Sequence, residues 1–464
     1  MIGVRRSVCF PPDPHSTPSQ AARPMLDRTR LPPALPARFL AAAALALASC
    51  GAGGNPPAEN LLLITVDTLR ADHLGCYGYG RATSPNLDAF AAGATLFDAA
   101  QAQSSWTLPS LASLMTSVYP STHGLWRHSS QLDPTFTTLA EVLRNAGFDT
   151  AAIVSNHLLG RPYGLHQGFT RYGDELASAA VRPDLYQAIT SAALSDEAVR
   201  WLESKAAADA DPPWFLWLHY LDPHREYRAH PGTTTIEGSA ELDRYDAEIA
   251  FTDAQIGRVL AALADTGLDR RTAVMFASDH GEEFGDHGGS DHGHTLYQEL
   301  VRVPLLIRAP GFRARRVPDG VGLIDVAPTA LELLGLAPHP DFAGRSLVAA
   351  LQGENLEERA VLAELRLADG RRERSLRLGR WKAVTREGEP ARLYDLATDP
   401  GERDDRSARE PGRAAALVRR LEGLVQEAGE EASRYRRAPP LDPAPLEALA
   451  LHELGYLGEG SRER

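Results

Sequence analysis

Three segments far apart in the chain set carboxylates and imidazoles where an apolar run stops. Asp67 follows Leu61-Leu62-Leu63-Ile64-Thr65-Val66, Asp279-His280 closes the run from Ala273 to Ser278 and is followed by Gly281-Glu282, and His224 ends Leu221-Asp222-Pro223-His224. An Asp-His pair offers one hard oxygen and one imidazole, a donor set that suits Zn²⁺ or Mn²⁺ better than Mg²⁺ or Ca²⁺. With Asp67 it gives three ligands and leaves a position open, as a catalytic metal requires. Alone, any one of these residues is a weak signal, because an Asp after a strand is often just a helix cap. Their recurrence at the ends of apolar runs carries the reading.

A fourth element runs from Ser105 to Thr116 (SWTLPSLASLMT). Pro109 fits the first turn of a helix, which puts Thr107 at or just before its N-terminus, where unpaired N–H groups and the helix dipole favour negative charge. A threonine hydroxyl is a weak nucleophile at its own pKa, and a nearby cation together with a helix N-terminus favours the alkoxide. Taken by itself the segment also reads as a plain N-cap threonine.

These residues need a scaffold, and the apolar runs supply it. Short runs at 61–66, 151–154, 214–218, 273–277 and 303–307 alternate with helical spacing at Leu139, Val142 and Leu143 and at Tyr245, Ile249, Ile256, Leu260 and Leu263. That alternation predicts an α/β fold with a mostly parallel central sheet flanked by helices, and ligands in such sheets bind beyond the carboxyl ends of the strands. Polar residues cluster where these runs stop: Asp67-Thr68, His219 and Asp279-His280. After about Gly335 come short Arg-rich segments over 362–384, then Leu393-Tyr394-Asp395-Leu396, then an amphipathic stretch from Ala414 to Gln426, together a smaller α+β unit. The run Arg371 to Arg377 reads as a solvated strand face.

Composition narrows the function classes. Among 464 residues, 61 Asp and Glu outnumber 48 Lys and Arg, so the net charge of −13 argues against general phosphate-backbone binding and no nucleic-acid partner is expected. The hydrophobic share of 43% is too high for a disordered chain. Three cysteines, Cys9, Cys50 and Cys76, cannot build a disulfide framework.

The N-terminal region looks like a delivery segment. Arg28, Arg30 and Arg38 precede an apolar run from Phe39 to Ala48, which is shorter than the ~20 residues a membrane-spanning helix needs and reads as a signal-peptide core. Leu47-Ala48-Ser49-Cys50 resembles a bacterial lipoprotein processing box, in which Cys50 becomes the acylated first residue; an ordinary small-residue cleavage site is the alternative. Lipidation of Cys50 would make this an extracytoplasmic protein of the periplasm or cell envelope, attached to the membrane by its N-terminal lipid through a tether rich in Gly, Pro and Ala.

Several stretches together resemble the sulfatase family of the alkaline phosphatase superfamily. They are Asn60 to Tyr79, Ser84-Pro85-Asn86-Leu87-Asp88, Trp106 to Thr116 with Tyr119 to Gly124, Phe276 to Glu283, Arg302-Val303-Pro304-Leu305, and Leu393 to Glu402. The match keeps its order over nearly the whole mature chain. It implies an alkaline-phosphatase-like fold, with a signal peptide over 1–49, a tether over 50–59, a sulfatase-like catalytic domain over 60–338 and a C-terminal subdomain over 339–464. It also implies a hydrolase or transferase of sulfate or phosphate esters with one divalent metal ion (Mn, Zn, Mg or Ca) held by Asp67, Thr107, Asp279 and His280. The substrate would be a small-molecule, glycan or lipid ester. Specificity in such folds lies in loops, here Phe169 to Ser191 and Tyr227 to Glu241.

The departures from the family decide the expected chemistry. Formylglycine sulfatases carry Cys or Ser two residues before the Pro of their signature and Arg two residues after it; this chain has Thr107 and Leu111. Oxidation of a secondary alcohol gives a ketone, so no formylglycine is expected. Thr68 stands where the family has a second Asp, and Ser155-Asn156-His157 lacks the family's Lys; Lys205 and Lys382, the only lysines, lie elsewhere. What remains is similar to the phosphoethanolamine and phosphoglycerol transferases, which use an unmodified Thr as covalent nucleophile. Phosphoester or phosphodiester chemistry at Thr107 is therefore expected over sulfate-ester hydrolysis. The resemblance further implies catalytic roles for His224 and His292 and substrate contacts for His157 and His294. His219, in an aromatic run, reads as readily as a satisfied core histidine, and His287 reads either way. A competing reading, prompted by the lost Arg and Lys, is a degenerate lipoprotein that binds anionic glycans or a protein partner without turnover.

Overall fold

Seven consecutive uncharged residues, Asn60–Val66, form strand β1. Leu61 and Leu63 enter one apolar layer, Leu62, Ile64 and Val66 the other. A strand buried on both faces needs no polar alternation, so its sequence is an unbroken apolar run. Each fully buried Leu or Ile contributes about 1.5–3 kcal/mol. The computed structural model describes residues 57–179, 190–208, 212–224, 227 and 240–441. The expected signal peptide, Cys50 and much of the two specificity loops lie outside the described residues.

The central sheet adds β2 (Thr95–Gln101), β3 (Asp149–Val154), β4 (Arg171–Gly173), β5 (Trp214–Tyr220) and β6 (Thr272–Ser278). A two-stranded ribbon of β7 (Glu283–Phe284) and β8 (Ser290–Asp291) follows, and β9 (Leu305–Arg308) and β10 (Arg315–Gly322) complete the sheet. Its order is β10-β2-β9-β6-β1-β5-β3-β4, and β9 alone runs antiparallel to its neighbours β2 and β6. One face is covered by α2 (Thr107–Thr116), α3 (Leu139–Asn145) and α6 (Val326–Leu333), through Leu108, Leu143 and Val326 among others. The other face is covered by α1 (Pro85–Ala91), α4 (Ser191–Ala207) and α5 (Glu241–Asp265), through Leu87, Leu194 and Ile249. The expected mostly parallel sheet between helical layers is therefore what forms.

The C-terminal part is the expected smaller α+β unit. Strands β11 (Ala360–Arg366), β12 (Arg372–Leu378), β13 (Trp381–Arg386) and β14 (Arg392–Asp395) make an antiparallel sheet. Helix α7 (Pro411–Ala432) packs Ala414, Leu417 and Leu421 against Leu362, Leu376 and Leu393 of that sheet. The Arg371 to Arg377 segment is not a uniformly solvated face: Glu373 is buried, and half-buried Arg374 pairs with Glu364 at 3.3 Å. Residues 57–59, assigned from sequence to the tether, are held by the domain. Ala58 is buried and donates its N–H to Leu333 O at 2.8 Å, and Glu59 donates to Arg271 O at 2.8 Å.

Candidate functional site

Strand register brings the two carboxylates together. In the parallel pairing of β1 with β6, Val66 lies opposite Ser278, so the residues that follow, Asp67 and Asp279, are neighbours. Pairing of β1 with β5 sets Thr65 opposite His219, and pairing of β3 with β5 sets Val154 opposite His219, which delivers the turn carrying Asn156. Asp67, Asp279 and His280 are all buried. Gly281 follows because the chain passes another backbone there: a Cβ on it would sit 1.9 Å from Glu299 O.

Each carboxylate has one oxygen held and one left over. Asp67 Oδ2 accepts from Asn156 Nδ2 and from His219 Nε2, the latter at 3.2 Å. Asp279 Oδ1 accepts the Thr68 N–H at 3.2 Å and the His280 N–H at 2.8 Å. Asp67 Oδ1 and Asp279 Oδ2 find no hydrogen-bond partner among the described residues. His280 donates from Nδ1 to Gly281 O at 2.9 Å, which fixes its tautomer and turns the Nε2 lone pair toward the same point. That Nε2 lies 3.4 Å from Asp279 Oδ2, 3.9 Å from Asp67 Oδ1 and 3.2 Å from Thr107 Oγ1.

Two orphaned buried carboxylate oxygens, an imidazole lone pair and a hydroxyl thus converge. Ligand atoms about 2.1 Å from one ion are about 3.0–3.4 Å from each other, so these separations fit a divalent cation after small adjustments. Electrostatics agree with that fit. Burial and the adjacent Asp67 charge push Asp279 well above the usual carboxylate range. Asp67 is held below that range, against burial, chiefly by the His219 hydrogen bond, with the nearby His224 acting in the same direction. Burial and His292 lower His280 to about 3, which keeps it neutral, the form that ligates. Asp67, His219 and Asp279 form a cluster able to hold a metal ion. His219 belongs to this centre, not to an inert core: its Nδ1 is 2.9 Å from Thr65 Oγ1, which in turn accepts the Trp217 Nε1–H at 2.9 Å.

Thr107 opens α2, after extended Trp106, and is buried. In the next turn Ser110 donates from Oγ to Asp279 O at 2.6 Å, which ties the helix start to the end of β6. Leu111, where the family carries Arg, lies in the apolar layer with Leu108, Ala112 and Met115.

Three imidazoles lie close together at this centre. The His292 ring centroid is 4.6 Å from that of His280 and 5.0 Å from that of His224. Both sequence-derived histidines therefore meet at the site. His292 Nδ1 is 3.0 Å from Glu282 Oε1, and Tyr227 donates to Glu282 Oε2 at 3.0 Å. Burial opposes protonation of His292, but the Glu282 carboxylate outweighs it and raises the imidazole to about 9. The remaining histidines divide by partner. His157 sits beside Asn156 with its Nε2 3.3 Å from Tyr163 OH. His294 pairs with Glu283 at 2.7 Å, on the ribbon of β7 and β8. His287 stacks on Tyr297 at 3.6 Å and pairs with Glu299 at 2.6 Å, a structural arrangement.

Sequence reasoning missed Asn156 and Glu282 and left His219 undecided. Asn156 follows an apolar strand just as Asp67 does, and that position was its only signal. Glu282 stands in the segment Asp279 to Glu282, but its partner is ten residues onward across a ribbon.

Comparison with known proteins agrees with this architecture. The family profile described as Sulfatase matches residues 59–336. Arylsulfatase K of Mus musculus is 31% identical over 244 residues, 48% of this chain and 44% of the mouse protein, so that alignment spans less than half of the relative. An uncharacterised sulfatase of Escherichia coli strain K12 is 26% identical over 368 residues, 66% of this chain and 72% of that protein. Among solved structures, the phosphonate monoester hydrolase of Agrobacterium radiobacter superposes with a TM-score of 0.66 at 24% identity, over 80% of this chain and 96% of that one. On the profile, which covers more than half its length, the chain belongs to the sulfatase family of ester-hydrolysing enzymes.

Proposed function

We propose that the protein is a metal-dependent hydrolase or transferase of phosphate or sulfate esters in which Thr107, unoxidised, is the nucleophile. The observation that carries this reading is the placement of Thr107 Oγ1 at a helix N-terminus, 3.2 Å from His280 Nε2, in a centre that holds two buried carboxylate oxygens with no hydrogen-bond partner among the described residues. Asp67, Asp279, His280 and Thr107 would hold a divalent ion. Bound there, such an ion lowers the pKa of a hydroxyl and offsets negative charge on the substrate.

The chain's own groups account for the remaining steps. Thr107 Oγ1, as alkoxide, attacks phosphorus or sulfur in line with the departing ester oxygen; the bond to Oγ1 forms and the bond to the leaving oxygen breaks. His292, kept protonated by Glu282, gives its proton to the leaving alkoxide. His224, whose ring lies 5.0 Å from that of His292, is assigned donation to an equatorial oxygen. Water or an acceptor alcohol then attacks the ester on Thr107, returns a proton to His292 and restores the Thr107 oxygen. His157 and His294 are assigned to substrate contact on the sequence resemblance alone. Phosphoesters are favoured because the unmodified Thr107 and the loss of Arg at 111 depart from formylglycine chemistry, and a phosphate monoester, more highly charged than a sulfate ester, leans harder on a cation.

Leu111 also favours a second reading, a degenerate protein that binds anionic glycans or a partner without turnover. Purified protein assayed with p-nitrophenyl phosphate, bis-p-nitrophenyl phosphate and p-nitrophenyl sulfate in Mn²⁺, Zn²⁺, Mg²⁺ or Ca²⁺, beside Thr107→Ala, separates the two. Turnover of a phosphoester that falls about 10³-fold or more in Thr107→Ala is expected. Equal rates for both proteins on every ester would favour the binding protein. A lipid on Cys50 would keep this chemistry at a membrane face, and an unmodified N-terminus in the intact mass of the mature chain would rule that anchor out.

A further inference from the structure

Both main-chain groups of Leu296 are taken by charged side chains of the C-terminal sheet. Its N–H donates to Glu373 Oε1 at 2.8 Å, and its C=O accepts from Lys382 Nζ at 2.6 Å. Two residues on, the Gln298 N–H donates to Glu402 Oε2 at 2.6 Å, and Lys382 Nζ lies 2.9 Å from Glu402 Oε1. Arg386 donates to Glu373 Oε2 at 2.6 Å and to His294 O at 3.4 Å. Glu373, Lys382 and Glu402 are all buried.

Burying charges that only cross-link a surface is a poor route to stability, since desolvation offsets most of the attraction. Here the charges act on a segment that lacks regular structure between β8 and Tyr297 and whose backbone groups need partners away from water. The same segment is tied to the nucleophile. Ser105, two residues before Thr107, donates from Oγ to Thr295 O at 2.7 Å. The Trp106 ring lies so close to Gly293 that a Cβ there would stand 2.8 Å from Trp106 Cε3. His292 directly precedes the first of these fixed points, Gly293.

We propose that Lys382, Glu402 and Glu373 are positioning residues for catalysis: by fixing residues 295–298 they set the His292 imidazole between His224 and His280, beside Thr107. The C-terminal sheet is on this view part of the reacting machinery and not only a second packing unit. The proposal rests on the reading of His292 as a catalytic residue, set 4.6 Å from the His280 ring.

A double-mutant cycle tests it, with Mn²⁺ present and the p-nitrophenyl ester that the wild type turns over best. Lys382→Met is expected to lower kcat about tenfold to a hundredfold with KM changed less than about twofold, as a misplaced catalytic group does. In a His292→Ala background the same substitution is expected to cost less than about twofold in kcat, while the fall in Tm is the same in both backgrounds. Lys382→Arg, which can still donate to Leu296 O and Glu402, recovers most of the rate. Equal losses of kcat in both backgrounds would overturn the proposal and leave Lys382 a purely structural residue. A His292→Ala protein as active as wild type would overturn the reading beneath it, and is seen in that single variant. Should Lys382→Met fail to fold, Glu373→Gln, which weakens the acceptor for the Leu296 N–H together with the Arg386 pairing, runs the same cycle.

Discussion

Thr68 donates its backbone N–H to Asp279 Oδ1 at 3.2 Å from a left-handed conformation, with φ of +52°. This turn reverses the chain directly after Asp67 and so lets the two carboxylates face each other. A β-branched residue in that conformation costs about 1–2 kcal/mol. The surroundings hold it in place: Tyr245 OH donates to Thr68 O at 2.7 Å and accepts the Arg70 N–H at 2.9 Å, and the Leu69 N–H donates to Ser278 Oγ at 3.0 Å. The Thr68 hydroxyl itself finds no hydrogen-bond partner among the described residues. Thr68→Asn keeps the N–H and tolerates positive φ, so it is expected to raise the free energy of unfolding by about 0.5–1.5 kcal/mol. Urea denaturation of the metal-free protein measures this, and a clear loss of stability would show that the threonine side chain, not the backbone, holds the turn.

His219 acts on Asp67 from within a chain of polar contacts. Trp217 Nε1–H donates to Thr65 Oγ1, which lies 2.9 Å from His219 Nδ1 and donates to Leu218 O at 3.3 Å, while His219 Nε2 lies 3.2 Å from Asp67 Oδ2. The carboxylate is thereby oriented so that Oδ1 faces His280 and Asp279. Substituting groups that orient a ligand commonly weakens metal binding 10–100-fold. His219→Leu is accordingly expected to weaken Mn²⁺ binding by about 10–100-fold in calorimetric titration, with a smaller effect for Trp217→Phe. Unchanged affinity in His219→Leu would remove His219 from the centre.

The site was legible where local sequence carries the signal. Asp67, Asp279 and His280 stand at the ends of apolar runs that can only be strands buried on both faces, and Thr107 precedes a proline placed for a helix start. Other parts depend on long-range pairing. His219 sits among Trp214, Phe215, Trp217 and Tyr220, so its neighbours in sequence suggest core packing. Only the register of β5 on β1 reveals that it reaches Asp67. Strand β10 was hidden for a different reason. Arg315–Gly322 contains Pro318, Asp319 and Gly320, a combination that reads as a turn. It survives as a strand because it lies at the sheet edge, pairs only with β2 and breaks register between Val317 and Gly320, where the proline needs no partner.

Acid should destabilise this fold through a histidine outside the metal centre. The Leu125 N–H donates to His123 Nδ1 at 3.1 Å, so that nitrogen must be unprotonated, and Nε2 lies 3.1 Å from Ser113 Oγ. Protonating Nδ1 would set two N–H groups against each other in a buried site. Burial, helped by the charge of Arg437, lowers His123 from 6.5 to about 3. The folded state then stays neutral at this position while the unfolded chain takes up a proton near pH 6.5. Stability therefore rises with pH where the unfolded chain binds more protons, and this contribution is full above about pH 6.5 and is lost progressively as pH falls toward 3. The slope approaches about 1.4 kcal/mol per pH unit, so lowering pH from 7 to 5 should cost about 2 kcal/mol through His123. His123→Gln can accept from Leu125 and donate to Ser113 but does not titrate. Its deficit relative to wild type, measured by urea denaturation, is expected to shrink by about that 2 kcal/mol between pH 7 and pH 5. A difference between the two proteins that stays constant over this range would mean that His123 does not titrate on unfolding as its buried hydrogen bonds require.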